Sequence, residues 1–310
     1  MPHTLSLDDF ATLFGVSSVD MPDACRKLIA ERDWSYDTLP EGERDAVILE
    51  LLHRIDRKEF SIVKDGDKAR WQKGWGENLD RFVNSKGSME ALTPQYIRKN
   101  VPMRLNQNFI TAKNSAFEEE WYNVFRQWLF TTYLKGFKNI FEFGCGSGFN
   151  VATLARMYPD AAITGLDWVQ PPVDIITQLH EIHGLNARGR LFDFFNPDYT
   201  LDIPSGSAVL TVGALEQTGM NNAVFLDFLM KKRPALVVHV EPIYEWYDPN
   251  NLIDYTAIRS HEVRNFWRGY PDRLTDLEAN GQIEIIKKKR SHFGSLVLEG
   301  YSQLIWRPKG

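Results

Sequence analysis

Two cysteines in 310 residues, Cys25 and Cys145, are too few for a disulfide framework. That excludes the small stapled folds of secreted proteins, and a reducing cytoplasm is the expected setting. No apolar run approaches the roughly 20 residues needed to cross a bilayer, so membrane insertion is not expected. The Met1-Pro-His-Thr4 start also lacks the basic and then apolar pattern of a secretory signal. Basic charge is not in excess either. A formal net charge of −5 gives no bulk positive field toward a nucleic-acid backbone or an anionic membrane. A small-molecule partner is therefore favoured, and a homodimer is left open. Repeats and low-complexity tracts are missing as well.

What is present suffices for a large core and a second, smaller unit, since 43% of the 310 residues are hydrophobic. Residues 1–105 are expected to form an N-terminal helical cap domain. Ser6-Leu-Asp-Asp9 reads as a capping box, and 46–60 places Val47, Leu49, Leu51, Leu52, Ile55 and Phe60 near a helical period. Thr93-Pro94 has the chemistry of a further helix start. Phe117 to Tyr133 predicts an amphipathic helix through Phe117, Trp121, Val124, Phe125, Trp128 and Leu129, with Gly136 as its stop. The rhythm then changes. Short apolar runs at 138–143, 161–166, 189–193, 207–212 and 235–240 alternate with helical stretches, which predicts a parallel sheet with right-handed crossovers. Ile283–Lys289 and Tyr301–Trp306 leave no room for a helix between them and are expected as an antiparallel edge pair.

The segment Gly144-Cys-Gly146-Ser-Gly148 lies between an apolar strand and a helical run over 150–158, where glycine lets backbone approach a ligand closely. A dinucleotide fingerprint would need glycine at Phe149. With Glu142 in front, the loop instead resembles the Glu/Asp-x-Gly-x-Gly-x-Gly signature of the class I S-adenosylmethionine-dependent methyltransferases. The resemblance covers about 106–310 and implies a Rossmann-like seven-stranded α/β sheet, mostly parallel, with S-adenosyl-L-methionine as cofactor. It further implies that Asp167 receives the ribose hydroxyls, that Trp168 lies against the adenine, and that Asp193 and Phe194 meet the adenine edge. Asx-turn and helix-capping roles are the alternatives for the two aspartates. Cys145 is expected to fill space in the loop rather than act as a thiol. Gly213-Ala-Leu-Glu-Gln217, His239-Val-Glu-Pro242 and 254–265 are similar to bacterial proteins described as sugar O-methyltransferases.

Methyl transfer to a hydroxyl needs alignment, exclusion of water and removal of a proton. Candidate bases are Glu216 after the fourth strand, then His261 on a later helix, then Glu241 and His239 at the end of the fifth. His239 interrupts an apolar strand and also reads as a core imidazole. Arg104, Gln107, Gln217, Tyr244, Arg264 and Asn265 are the candidate substrate contacts. No metal is expected, because His180 and His183 share a helix face without a third ligand at metal spacing. An N-methylating enzyme of nucleic acid would carry Asp/Asn-Pro-Pro-aromatic after the fourth strand, where this chain has Gly-Ala-Leu-Glu-Gln. A basic and aromatic run over 64–75 is diluted by Asp65 and Asp67, and reads as an amphipathic helix with buried tryptophans. A binding protein that kept the fold without the chemistry is the non-enzymatic alternative.

Overall fold

The computed structural model describes residues 3–64 and 67–309, so Met1, Pro2, Asp65, Gly66 and Gly310 lie outside the described residues. After strand β1 (His3–Thr4), helix α1 (Leu7–Phe14) begins at the expected capping box. Ser6 accepts the Asp9 N–H, and the Asp9 carboxylate accepts the Ser6 N–H at 2.8 Å. Next come α2 (Asp23–Ala30), β2 (Ser35–Thr38), α3 (Glu41–Asp56) and α4 (Lys68–Asn84). The face α3 buries is Ile48, Leu51 and Ile55, while Leu49 points to solvent and Phe60 lies beyond the helix end. Thr93-Pro94 does not start a helix. The Thr93 hydroxyl donates to Glu119 instead, and Pro94 opens a turn closed by the Ile97 N–H.

This region is not purely helical. Strands β3 (Met103–Leu105) and β4 (Asn108–Ala112) form a hairpin whose two turn residues, Asn106 and Gln107, both have positive φ. The hairpin straddles the expected boundary between 105 and 106. It pairs with β2 through β4, and β1 completes the edge, all antiparallel. Helix α5 (Phe117–Leu129) follows, with every apolar position expected from its period buried. It packs against α1 through Phe14, whose ring lies 5.5 Å from Trp121 and 5.0 Å from Trp128. Helices α1 and α2 therefore share their core with α5 and the large sheet, while α3 packs on the hairpin and α9, and α4 on α7.

The alternating half runs β5 (Asn139–Phe143), α6 (Phe149–Met157), β6 (Ala162–Asp167), α7 (Gln170–His183), β7 (Ala187–Leu191), β8 (Ala208–Val212), α8 (Asn222–Lys232) and β9 (Leu236–Glu241). Helices α9 (Leu252–Arg264) and α10 (Tyr270–Ala279) lead to β10 (Ile283–Lys289), β11 (Phe293–Gly294) and β12 (Ser302–Pro308). The large sheet has the order β10-β12-β9-β8-β5-β6-β7. Its five central and far strands are parallel, and β12 is antiparallel to both β9 and β10. The strand order reverses between β5 and β8, so a crevice opens beyond their carboxyl ends.

The two sheets are tied together late in the chain. β11 leaves the large sheet and pairs with β3, which extends the small sheet to β1-β2-β4-β3-β11. Beside it, the Arg290 guanidinium donates to Glu299 and to Asp254, each at 2.6 Å, and to the Trp246 carbonyl. The Asp254 side chain is 0% exposed and that of Glu299 is 2% exposed. Losing Arg290 would strand both carboxylates without a counter-charge. Arg290→Met is expected to cost about 3 to 5 kcal/mol of unfolding free energy, read as a lowered midpoint in urea denaturation. A loss under about 1 kcal/mol, the range of an exposed pair, would overturn this account.

Candidate functional site

The glycine loop leaves β5 and turns directly into α6. Gly144, Gly146 and Gly148 all have positive φ, which L side chains rarely adopt. A Cβ at Gly144 would stand 2.3 Å from that of Ala214, so the loops after β5 and β8 touch at the switch point. A Cβ at Gly146 would stand 2.7 Å from the Trp75 ring. Cys145 lies beneath the loop, its Sγ 3.0 Å from where a Cβ on Gly165 would be, and burial pushes its thiol well up. It fills space, as expected, and is not an activated nucleophile.

The crevice has two adjoining lobes that share walls. The first, about 490 Å³ with its open mouth, is bounded by Asp167, Trp168, Phe194 and Phe195 on one side and Ala214, Gln217 and Thr218 on the other. The second, about 370 Å³ with its opening to solvent, is bounded by Glu142, Cys145, Gly146, Asn150, Tyr96 and Tyr122. Gly144, Gly213 and Trp75 belong to both.

Three carboxylates expected from the sequence lie around these lobes. Asp167 ends β6, accepts the Gly146 N–H at 3.1 Å, and is raised to about 6 by burial, with the backbone N–H groups opposing. Asp193 accepts the Phe195 N–H at 2.9 Å, which is the Asx turn offered as its alternative, and its second oxygen meets Lys68 Nζ at 3.0 Å. Glu142 receives the Asn150 amide at 2.7 Å, while its other oxygen is buried without a partner among the described residues. Burial raises Glu142 to about 8.

After β8, Glu216 sits just behind the first lobe, joined to it by Gln217, whose amide donates to Glu216 Oε1 at 2.9 Å. Glu241, at the end of β9, accepts the backbone N–H groups of Ala214, Leu215 and Glu216. Its carboxylate caps the short helix that carries Glu216. Burial and the adjacent Glu216 carboxylate raise Glu241 well above the ordinary range.

Other sequence candidates are placed elsewhere. His239 is buried within β9, with Thr211 at Nδ1 and Tyr270 at Nε2, both 2.9 Å away, and burial lowers it to about 3. It is a core imidazole, and the catalytic expectation for it is corrected. His261 on α9 is also lowered to about 3 by burial and the neighbouring arginines, enclosed by the rings of Tyr244, Tyr247 and Phe266. It borders neither lobe. Arg104 is 0% exposed and donates to the carbonyls of Leu296 and Ile253 and to the Thr256 hydroxyl. Gln107 donates to Asp254 at 3.3 Å. Both brace the small sheet against α9, and the substrate expectation for them is corrected. Asn265 caps α9 in the left-handed conformation and holds the Val63 carbonyl. Arg264 packs over Phe266, and Tyr244 donates to Glu262.

Trp71, Trp75 and Lys68 were not legible as site residues. The tryptophans were expected to be buried under an amphipathic helix. They are half-buried, stacked 6.1 Å apart, and both face the crevice. Among the described residues no three metal-type side chains lie together, and no helix is long and apolar enough to cross a membrane.

No family model and no curated protein sequence matches the chain. Solved structures do. The N-terminal domain of EvdMO1, crystallised with SAH and D-fucose, is 19% identical, covers 59% of this chain and 81% of its own, and has a TM-score of 0.38. The 16S rRNA methyltransferase RmtF, in complex with S-adenosyl-L-homocysteine, is 13% identical over 88% and 92%, with a TM-score of 0.44. A SAM dependent methyltransferase from Aquifex aeolicus is 16% identical over 58% and 86%, with a TM-score of 0.39. Likeness this distant says nothing of substrate. The order and direction of the seven strands in this chain, with the glycine loop after β5, are those of the class I S-adenosylmethionine-dependent methyltransferase fold.

Proposed function

We propose that the chain is an S-adenosylmethionine-dependent methyltransferase that methylates a hydroxyl of a sugar or other polyhydroxylated small molecule. The observation that carries this reading is one crevice at the switch point that collects the glycine loop, Asp167, Trp168 and Phe194 from three successive strand ends, with Asp193 next to Phe194. The residues fit the donor's chemistry. The first lobe offers flat aromatic faces for a base and a buried carboxylate for ribose hydroxyls. The second offers the unpartnered oxygen of Glu142, which suits an ammonium group. When bound, the donor supplies an electrophilic methyl on a cationic sulfur. The chain's tasks are then to align an acceptor, exclude water and take its proton.

Glu216 is the favoured proton acceptor. It stands beside the crevice, and its Oε2 is buried without a partner among the described residues. Glu241 is a positioning residue, since it holds the backbone on either side of Glu216. His261 is neutral through the working pH range but sealed among aromatic rings. Gln217, which borders the first lobe, supplies a polar group that a polyol would need.

Calorimetry with S-adenosylhomocysteine tests the cofactor half. Asp167→Ala should weaken binding by about 1.5 to 3 kcal/mol for each ribose hydrogen bond lost, and parent-like affinity would refute the ribose role. Turnover tests the base. Glu216→Gln should lower kcat about 100-fold or more while keeping cofactor affinity, whereas His261→Asn should leave the pH profile unchanged. Normal turnover of the Glu216 variant, or transfer only to a protein amine or a nucleobase, would sink the hydroxyl reading.

A third test uses stability. Burial holds Glu142 protonated up to about 8, against an ordinary 4.5. Its contribution to stability is complete below about pH 4.5 and disappears as pH rises through 8. The melting temperature of the ligand-free parent should therefore fall between pH 5 and 8 relative to Glu142→Gln, and parallel curves would show that the carboxyl is not desolvated.

A further inference from the structure

The N-terminal helix α4 reaches the crevice at the one place where its two lobes meet. Trp75 borders both, together with the backbone of Gly144 and Gly213, and is the sole side chain to do so among the described residues. Its indole packs on Gly146 so closely that no side chain would fit there. The helix is fixed at both ends of this contact. At its start, Lys68 binds Asp193 at 3.0 Å and Gln72 accepts the Gln170 N–H at 3.4 Å. At its far end, Phe82 is fully buried against Ile175 and Leu179 of α7. Trp75 is thus aimed by a braced helix.

A donor molecule lying across both lobes would have its adenosyl group in the first and its amino-acid chain in the second. The atom that joins them is the sulfur, which would then lie beside Trp75. The sulfur is cationic before methyl transfer and neutral afterward. An indole face attracts a cation through its ring quadrupole, and a neutral thioether gains only dispersion contact. We propose that Trp75 is a cofactor-specificity residue: its indole lifts from Gly146 onto the sulfonium and lets the protein distinguish the charged donor from its neutral product. This rests on the cofactor reading above. It also makes the N-terminal region part of the cofactor site, since the large sheet alone supplies no aromatic face at this junction among the described residues.

The test compares S-adenosylmethionine, S-adenosylhomocysteine and sinefungin, which carries a protonated amine near the sulfur position, by calorimetry on the full chain. For Trp75→Leu, affinity for the two cationic ligands should fall about five- to thirty-fold further than for S-adenosylhomocysteine, equivalent to about 1 to 2 kcal/mol. Trp75→Phe keeps an aromatic face and should hold the parent's ratio within about threefold. It guards against a leucine variant that loses its fold, which thermal melting would reveal. Equal losses for all three ligands would make the indole a packing residue and overturn the proposal. Unchanged affinities would overturn it too. A parent that binds none of the three would bring down the cofactor reading itself, a different result from a parent that binds without discrimination by charge.

Discussion

The seating of the small sheet on the rest of the molecule depends on the ion cluster around Arg290. A guanidinium almost enclosed by protein, with two buried carboxylates on it, is costly unless all partners are present at once. Here the partners come from distant parts of the chain: Asp254 from α9, Glu299 from the crossover to β12, and Gln107 from the N-terminal hairpin by way of Asp254. Their convergence sets the small sheet against α9. Arg104 reinforces the same contact from the other side, with its three donors met by Leu296, Ile253 and Thr256. The small sheet in turn carries the segments that precede and follow α3 and α4. These groups thereby anchor the two ends of the segment that carries Trp71 and Trp75, whose helix is itself held by Lys68, Gln72 and Phe82.

The large sheet was legible because its central strands are apolar, buried on both faces, and separated by helices with their own period. Each expected strand lies within a residue or two of its observed bounds. The small sheet was not legible. β1 and β11 have two residues each, β2 is the polar run Ser-Tyr-Asp-Thr, and the hairpin turn is Asn-Gln rather than a glycine-bearing pair. Such strands exist through their partners, since so few residues carry no period of their own. Thr93-Pro94 misled for a related reason: its hydroxyl found a tertiary partner in Glu119 before a local one.

The site divides in the same way. The glycine loop and the acids at successive strand ends follow from local chain order, and of these the loop, Glu142 and Asp167 line the crevice. Polar residues within otherwise apolar segments carry no such order. His239 and Arg104 looked like site residues and prove to be internal braces, one inside the sheet and one between sheet and helix. Trp75 shows the converse error. Its helical spacing with Trp71 suggested ordinary core, and only the packing of α4 across the loop turns that face toward the crevice.

The pairing of β11 with β3 has a consequence for how the molecule is made. The small sheet joins Arg104 and Leu105 to Gly294 and Phe293, about 190 residues further along the chain. Synthesis proceeds from the N-terminus, so this sheet stays open on one edge until almost all of the polypeptide has left the ribosome. Through that interval the edge of β3 offers unpaired backbone to any passing strand. The final thirty or so residues thus act as the clasp of the whole fold, bringing Arg290, β11 and the central antiparallel strand β12 into place together.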